Sequence, residues 1–214
     1  YHPVAAATNK PDNFGDYLQA FDILMPTAFG TSVAADWTEG SLQAGQGRVP
    51  VWPVLQGFGM NPSDVPTPEK LRCFAYLALT NGATGLVWFT YALPDLFEDV
   101  EGHRDSWYLP ETPLWDEFAR LNKEITDLAP VLLSPPVAPV VTASDVAIHV
   151  LLKEYQGQHY LFAVNELPTS VTCQFTGLVP EGTVEVLPGG PTIIPDGTGW
   201  TDQFDGYATR VYRF

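Results

Sequence analysis

The chain has 214 residues, 45% of them apolar and 16% charged, enough apolar side chain to offset the entropy of ordering, so wholesale disorder is excluded. Its 25 acidic against 10 basic residues leave a formal charge of −15, which argues against nucleic acid as a partner because that affinity rests on phosphate neutralisation by Lys and Arg. No apolar run reaches the ~18 residues of a helical membrane span, so a membrane is not an expected partner either.

The first segment, from Tyr1 to Thr8, is apolar and opens without an initiator Met, a charged n-region or a signal-type h-region. It reads as a strand whose upstream segment was removed by processing or, as the fold pattern favours, as a strand in a piece of a longer polypeptide. A short helix is expected around Asn13 to Gln19. Phe21 to Phe29 is a nearly continuous apolar run, the pattern of a strand buried on both faces of a parallel sheet. A weaker helix pattern covers Ser32 to Ala44. The next strand lies within Val49 to Phe58, and Pro50 and Pro53 confine it to about Val51 to Gly57.

The strongest helix signal begins at Thr67, a good N-cap, with Pro68 at the first helical position and Glu69 near the positive end of the dipole. Leu71, Phe74, Ala75 and Ala78 follow helical spacing, and Asn81-Gly82 supplies the stop. A buried strand, Thr84 to Tyr91, follows at once. Ala92 to Glu111 is a long acidic loop, and loops of that length are usually functional or mobile. Thr112-Pro113 opens a helix whose stripe is Leu114, Phe118, Leu121, Ile125 and Leu128, with an expected end at Pro130.

Prolines at 130, 135, 136 and 139 mark a linker over 131–142, dividing residues 1–130 from residues 143–214. Beyond it the period changes to two. Val146, Ile148, Val150 and Leu152 alternate with Ala147, His149, Leu151 and Lys153. After a Gln156-Gly157 turn, Tyr160, Phe162 and Val164 alternate likewise. Val171, Cys173 and Phe175 repeat the pattern, then Val184 and Val186, and YATRVYRF closes the chain. Short strands with turn signals between them predict an antiparallel β-sandwich. The two cysteines, Cys73 and Cys173, make no disulfide framework and have no zinc spacing with any His; both are expected as free, buried thiols.

The fold class is therefore α/β plus all-β. Parallel strands need crossover helices, and their common closed form is the (β/α)8 TIM barrel, which takes eight strands and ~250 residues. About four strands are present, so this chain is expected to supply roughly strands 5–8, the others preceding Tyr1.

Three stretches together, VPVWPVLQGFG, PTPEKLRCFAYLALTNGATGLVWFTY and LWDEFARLNKEITDLAPVLLSP, followed by a small β domain ending in RVYRF, resemble the C-terminal half of clan A glycoside hydrolase-like proteins. The resemblance implies that Phe21 to Phe29 is strand six, Val51 to Phe58 strand seven and Gly85 to Tyr91 strand eight. It also implies a carbohydrate substrate or ligand, no cofactor, and an extracellular setting. In that clan the nucleophilic Glu ends strand seven and the acid/base Glu ends strand four. The matching strand-seven position here is Gln56, and strand four is not in this chain. A Trp near the end of strand eight floors the sugar site, and Trp88 is its match.

Gln56 bears on catalysis. A retaining glycosidase needs an ionised carboxylate ~5–5.5 Å from the acid to attack the anomeric carbon. An amide oxygen is a poor nucleophile, although it can bind hydroxyls. Trp88, Tyr91 and Trp107 can stack on sugar rings or pack in the core, and Thr27 lies near the site end of its strand. Asp95, Glu98, Asp99, Glu101 and Asp105 form a solvated loop, a source of a substitute carboxylate or a calcium site, although no calcium-loop spacing is present. No His has a nucleophile partner and no glycine-rich phosphate loop occurs, so acyl transfer and nucleotide binding lack support. Two readings remain: a glycoside hydrolase whose other catalytic groups lie upstream, or a non-catalytic carbohydrate-binding or structural protein on a degenerate barrel.

Overall fold

A computed structural model describes residues 2–10, 13–18, 20–59, 64–89, 107–108, 114–135, 137–138 and 141–214. The first part runs β1 (Ala5–Thr8), α1 (Phe14–Tyr17), β2 (Ile23–Ala28), α2 (Thr31–Ala44), β3 (Val54–Gln56), β4 (Phe58–Gly59), α3 (Pro68–Thr80), β5 (Val87–Phe89), β6 (Trp107–Tyr108) and α4 (Trp115–Leu132). Strands β1, β2, β3 and β5 form one sheet in that order, and every pairing in it is parallel. Helices join the pairs, as parallel geometry requires. Leu55 pairs with Trp88 and Gln56 with Phe89, so the two segments expected as neighbours are neighbours in the expected direction. Thr90 and Tyr91, the end of the expected strand, lie outside the described residues.

The second part is β7 (Thr142–Ala143), β8 (Ile148–Tyr155), β9 (Gln158–Asn165), β10 (Val171–Thr176), β11 (Val184–Leu187), β12 (Thr192–Ile193), β13 (Gly199–Phe204) and β14 (Thr209–Arg213). They form a five-stranded sheet, β12-β11-β14-β9-β8, and a three-stranded sheet, β13-β10-β7, with every pairing antiparallel. Leu161, Ala163, Tyr212 and Val186 of the larger sheet meet Cys173, Phe175, Trp200 and Phe204 of the smaller one in a shared core. This is the expected α/β part followed by a β-sandwich. The β8–β9 hairpin turns at Gln156-Gly157, both with positive φ (53° and 76°), the two-residue geometry that matches strand twist.

Helix α3 joins the parts. Thr67 caps it, its hydroxyl accepting from the Lys70 N–H at 3.3 Å. Leu71 and every residue from Cys73 to Leu79 are buried, so the helix is covered on all sides. Ala28 and Leu55 cover it from the parallel sheet, and Phe162, Val164 and Val211 from the five-stranded sheet. Strand β9 is therefore buried on both faces from Leu161 to Asn165. That differs from the one-sided alternation expected for it and follows from the helix laid on its outer face.

Two further differences have local causes. Helix α4 does not stop at Pro130 but runs on to Leu132. A proline inside a helix forfeits a backbone hydrogen bond and costs about 3 kcal/mol; here it falls in the last turn, which Val131, buried in the core, holds down. Residues 107–108, read as loop, form β6, antiparallel to β4. Across the helical layer, Arg72 of α3 donates to both Glu124 oxygens of α4 at 2.8 and 3.0 Å, and the Tyr76 hydroxyl donates to the same carboxylate. Burial first, then the Glu124 charge, pushes the Tyr76 hydroxyl well above its ordinary range, so it remains a donor.

Both cysteines are free and fully buried. The Cys73 thiol lies against the Asn165 carbonyl oxygen at 3.5 Å, and burial, aided by the Glu166 charge, pushes it up to about 12. A thiol is reactive as its thiolate, so native protein at pH 8 is expected to show no titratable thiol with a disulfide reagent, and two after denaturation. A native thiol reacting at the rate of free cysteine would contradict this burial.

Candidate active site

The C-terminal ends of β2, β3 and β5 lie side by side. Neighbours in a parallel pairing point to the same face, and alternate residues to opposite faces. Thr27, Val54 and Val87 therefore share one face, with Gln56 and Phe89 further along it. Ala28, Leu55 and Trp88 share the other, which the helices cover.

This parity separates two residues expected at one mouth. Gln56 lies half-buried at the end of β3, its Nε2 donating to the Phe58 carbonyl oxygen at 3.0 Å. Among the described residues its Oε1 has no hydrogen-bond partner, which leaves an acceptor for a ligand hydroxyl. Trp88 faces the helical layer instead and packs edge-on against Phe118 of α4, ring centroids 5.5 Å apart. Its place is set by the alternation of a short strand, since residue 88 pairs with Leu55 and not with Gln56.

The aromatic that does share the Gln56 face is Phe89, 46% exposed. With Phe29 and Phe58 it forms a trio across the three strand ends, with centroid separations of 5.1, 5.6 and 5.8 Å. Sequence reasoning placed its weight on Trp88 and missed this trio. The signal available was the two-residue period running back from Phe89 through Val87. Thr27 is half-buried on the same face, one pairing short of the strand end. Trp107 returns through its backbone to the same end, paired with Gly59. Tyr91 and the acids Asp95, Glu98, Asp99, Glu101 and Asp105 lie outside the described residues.

A recess of about 180 Å³ opens at this end, bordered by Gln56, by Gly30 and Thr31 where α2 begins, by Asp64 and Lys70 before and within α3, and by Tyr207 of the sandwich. Among the described residues no group of three or more His, Cys, Asp or Glu could hold a metal ion. The end of the sheet thus offers an amide, a hydroxyl, a carboxylate, an ammonium and aromatic faces. That set can bind a polyhydroxylated ligand. The strand-seven position itself contributes no carboxylate.

No family model and no curated protein sequence matches the chain. Its fold does match solved structures. An Anoxybacillus α-amylase superposes with a TM-score of 0.62 at 10% identity over 98% of this chain. The maltogenic α-amylase AmyB of Thermotoga neapolitana gives 0.57 at 12% over 98%, and Eubacterium rectale Amy13B gives 0.54 at 11% over 98%. The chain spans about half the length of each, 51%, 54% and 52% respectively. The resemblance expected from sequence, to the C-terminal part of glycoside hydrolase-like proteins, is found at the level of fold.

The two faces predict opposite behaviour for neighbouring residues. Trp88→Ala removes an indole packed into the helical core and is expected to lower stability by about 3 kcal/mol or more. Phe89→Ala truncates a half-exposed ring and is expected to cost markedly less. Urea unfolding of the two variants checks the assignment; equal losses would contradict it.

Proposed function

We propose that this chain is the C-terminal portion of a glycoside hydrolase-like protein that acts on or binds poly- or oligosaccharide. Residues 1–130 would supply about strands 5–8 of a (β/α)8 barrel, and residues 143–214 a C-terminal sandwich domain. The observation that carries this reading is the parallel, sequentially ordered sheet whose strand ends gather Gln56, Thr27 and the Phe29, Phe58 and Phe89 rings at one end. In barrels of this kind the site lies at the C-terminal ends of the strands. Sugars fit such a surface because their hydroxyls pair with amides and their C–H faces pack on aromatic rings. A polysaccharide substrate is in keeping with an extracellular setting.

A specific observation favours the non-catalytic form of this proposal. Gln56 ends the strand where the resemblance calls for a nucleophilic carboxylate. A neutral amide neither attacks the anomeric carbon nor balances oxocarbenium charge. Saccharide binding would then survive while turnover is weak or absent.

Gln56→Glu in the whole protein separates the two forms. A gain in hydrolysis of an aryl glycoside or oligosaccharide that the native protein binds is the expected result, since the carboxylate restores the missing nucleophile. Robust native hydrolysis that Gln56→Ala leaves unchanged would show that the reaction is centred elsewhere.

A further inference from the structure

The recess beside Gln56 contains a cation in an unusual position. Several other cations among the described residues are engaged. Arg72 sits on Glu124, Arg210 on Asp202 and Arg213 on Glu185, while Lys153 donates to the Ser134 carbonyl oxygen at 2.7 Å. Lys70 has no carboxylate at ion-pair distance among the described residues, although the chain carries 25 acidic residues. Its ammonium stands 5.5 Å from the centre of the Tyr207 ring, and both residues border the recess.

Tyr207 is held there at a cost. Its φ is 61°, a left-handed conformation that an aromatic residue seldom adopts. The turn that imposes it is braced from beneath by Asn165, which is fully buried. The Asn165 amide donates to the Thr169 and Asp205 carbonyl oxygens at 2.8 and 3.0 Å and accepts from the Leu167 N–H at 3.0 Å. The Tyr207 N–H itself donates to the Leu167 carbonyl oxygen at 2.9 Å. Strain of this kind persists where surrounding structure over-determines it, and it clusters at binding sites. The sandwich thus projects one rigid aromatic face over the strand ends of the other part, and Lys70 lies over that face.

We propose that this recess receives the carboxylate of an acidic sugar, a uronate residue, with the Lys70 ammonium as its charge partner; the proposal rests on the carbohydrate reading above. Its volume of about 180 Å³ is below the ~300 Å³ at which drug-sized ligands are enclosed, and suits one ring rather than a chain. Asp64 also borders the recess. A carboxylate charge there repels the ligand's acid group, so the uronate carboxyl is directed to the Lys70 side and its hydroxyls towards Gln56. Helix α2 begins at the same recess with no side-chain cap on its first turn, which adds to the attraction for an anion. The sandwich would then select substrate through Tyr207.

The test is calorimetric titration of the purified protein with sodium glucuronate, with glucose and with acetate. Glucuronate is expected to bind at least about tenfold more tightly than glucose, the worth of one charge-assisted contact. Lys70→Gln is expected to abolish that preference, lowering glucuronate affinity at least about tenfold relative to the native protein, and Lys70→Arg to retain most of it. A circular dichroism melt unchanged in Lys70→Gln shows that the variant is folded. Equal binding of glucuronate and glucose, a preference that survives in Lys70→Gln, or acetate competing as well as glucuronate would each overturn the uronate assignment while leaving carbohydrate binding standing. Failure of both sugars to bind would overturn the carbohydrate reading as well.

Discussion

Burial of α3 on every side is the constraint on which the rest of the molecule depends. An isolated helix of 13 residues is marginal in water, and its stability must come from what covers it. Here one side rests on the parallel sheet and the other on the five-stranded antiparallel sheet. Helices α2 and α4 add to this cover, α2 on β2 and α4 on β8 and on Trp88 of β5. The helix therefore fixes the position of β3 and β5 relative to β9 and β14. It also fixes the site, because Lys70 in its first turn and Tyr207 of the sandwich meet only if the helix is seated on both.

Polar groups secure the same joint. At the far end of α3, the Asn81 side-chain amide donates to the Leu77 carbonyl oxygen at 2.8 Å and lies 3.2 Å from His149 Nδ1 on β8; His149 Nε2 in turn lies 3.3 Å from Glu166. At the near end, Asn165 braces the turn that carries Tyr207. A buried amide with all its bonds made is costly to remove, so both ends of the interface are held in one arrangement. What binds at the strand ends would meet a surface assembled from both parts of the chain.

Much of the architecture was legible in the residues. Thr67-Pro68 marked the start of α3 because capping is local chemistry. The apolar runs at Phe21 to Phe29 and Thr84 to Tyr91 marked parallel strands because two-sided burial erases alternation. The same rule applied to β9 went unread: Leu161, Phe162, Ala163 and Val164 form a continuous apolar run, and its second cover is α3, a partner nearly a hundred residues away in sequence. Gln56 was legible from its place in VPVWPVLQGFG. The orientation of Trp88 was not, because one residue of register decides which face it takes. Lys70 and Tyr207 escaped notice because each is unremarkable alone, and only the fold brings them to one recess.

Native-state hydrogen exchange tests most directly whether α3 makes the two parts one structure. Amides in the middle of α3, in β3 and in β9 are expected to exchange through a single opening with the same free energy, falling together when Leu77→Ala weakens the helix. Exchange of β9 and β14 at a protection unaffected by that substitution would contradict the account, since the sandwich would then stand without the helix assigned as its cover.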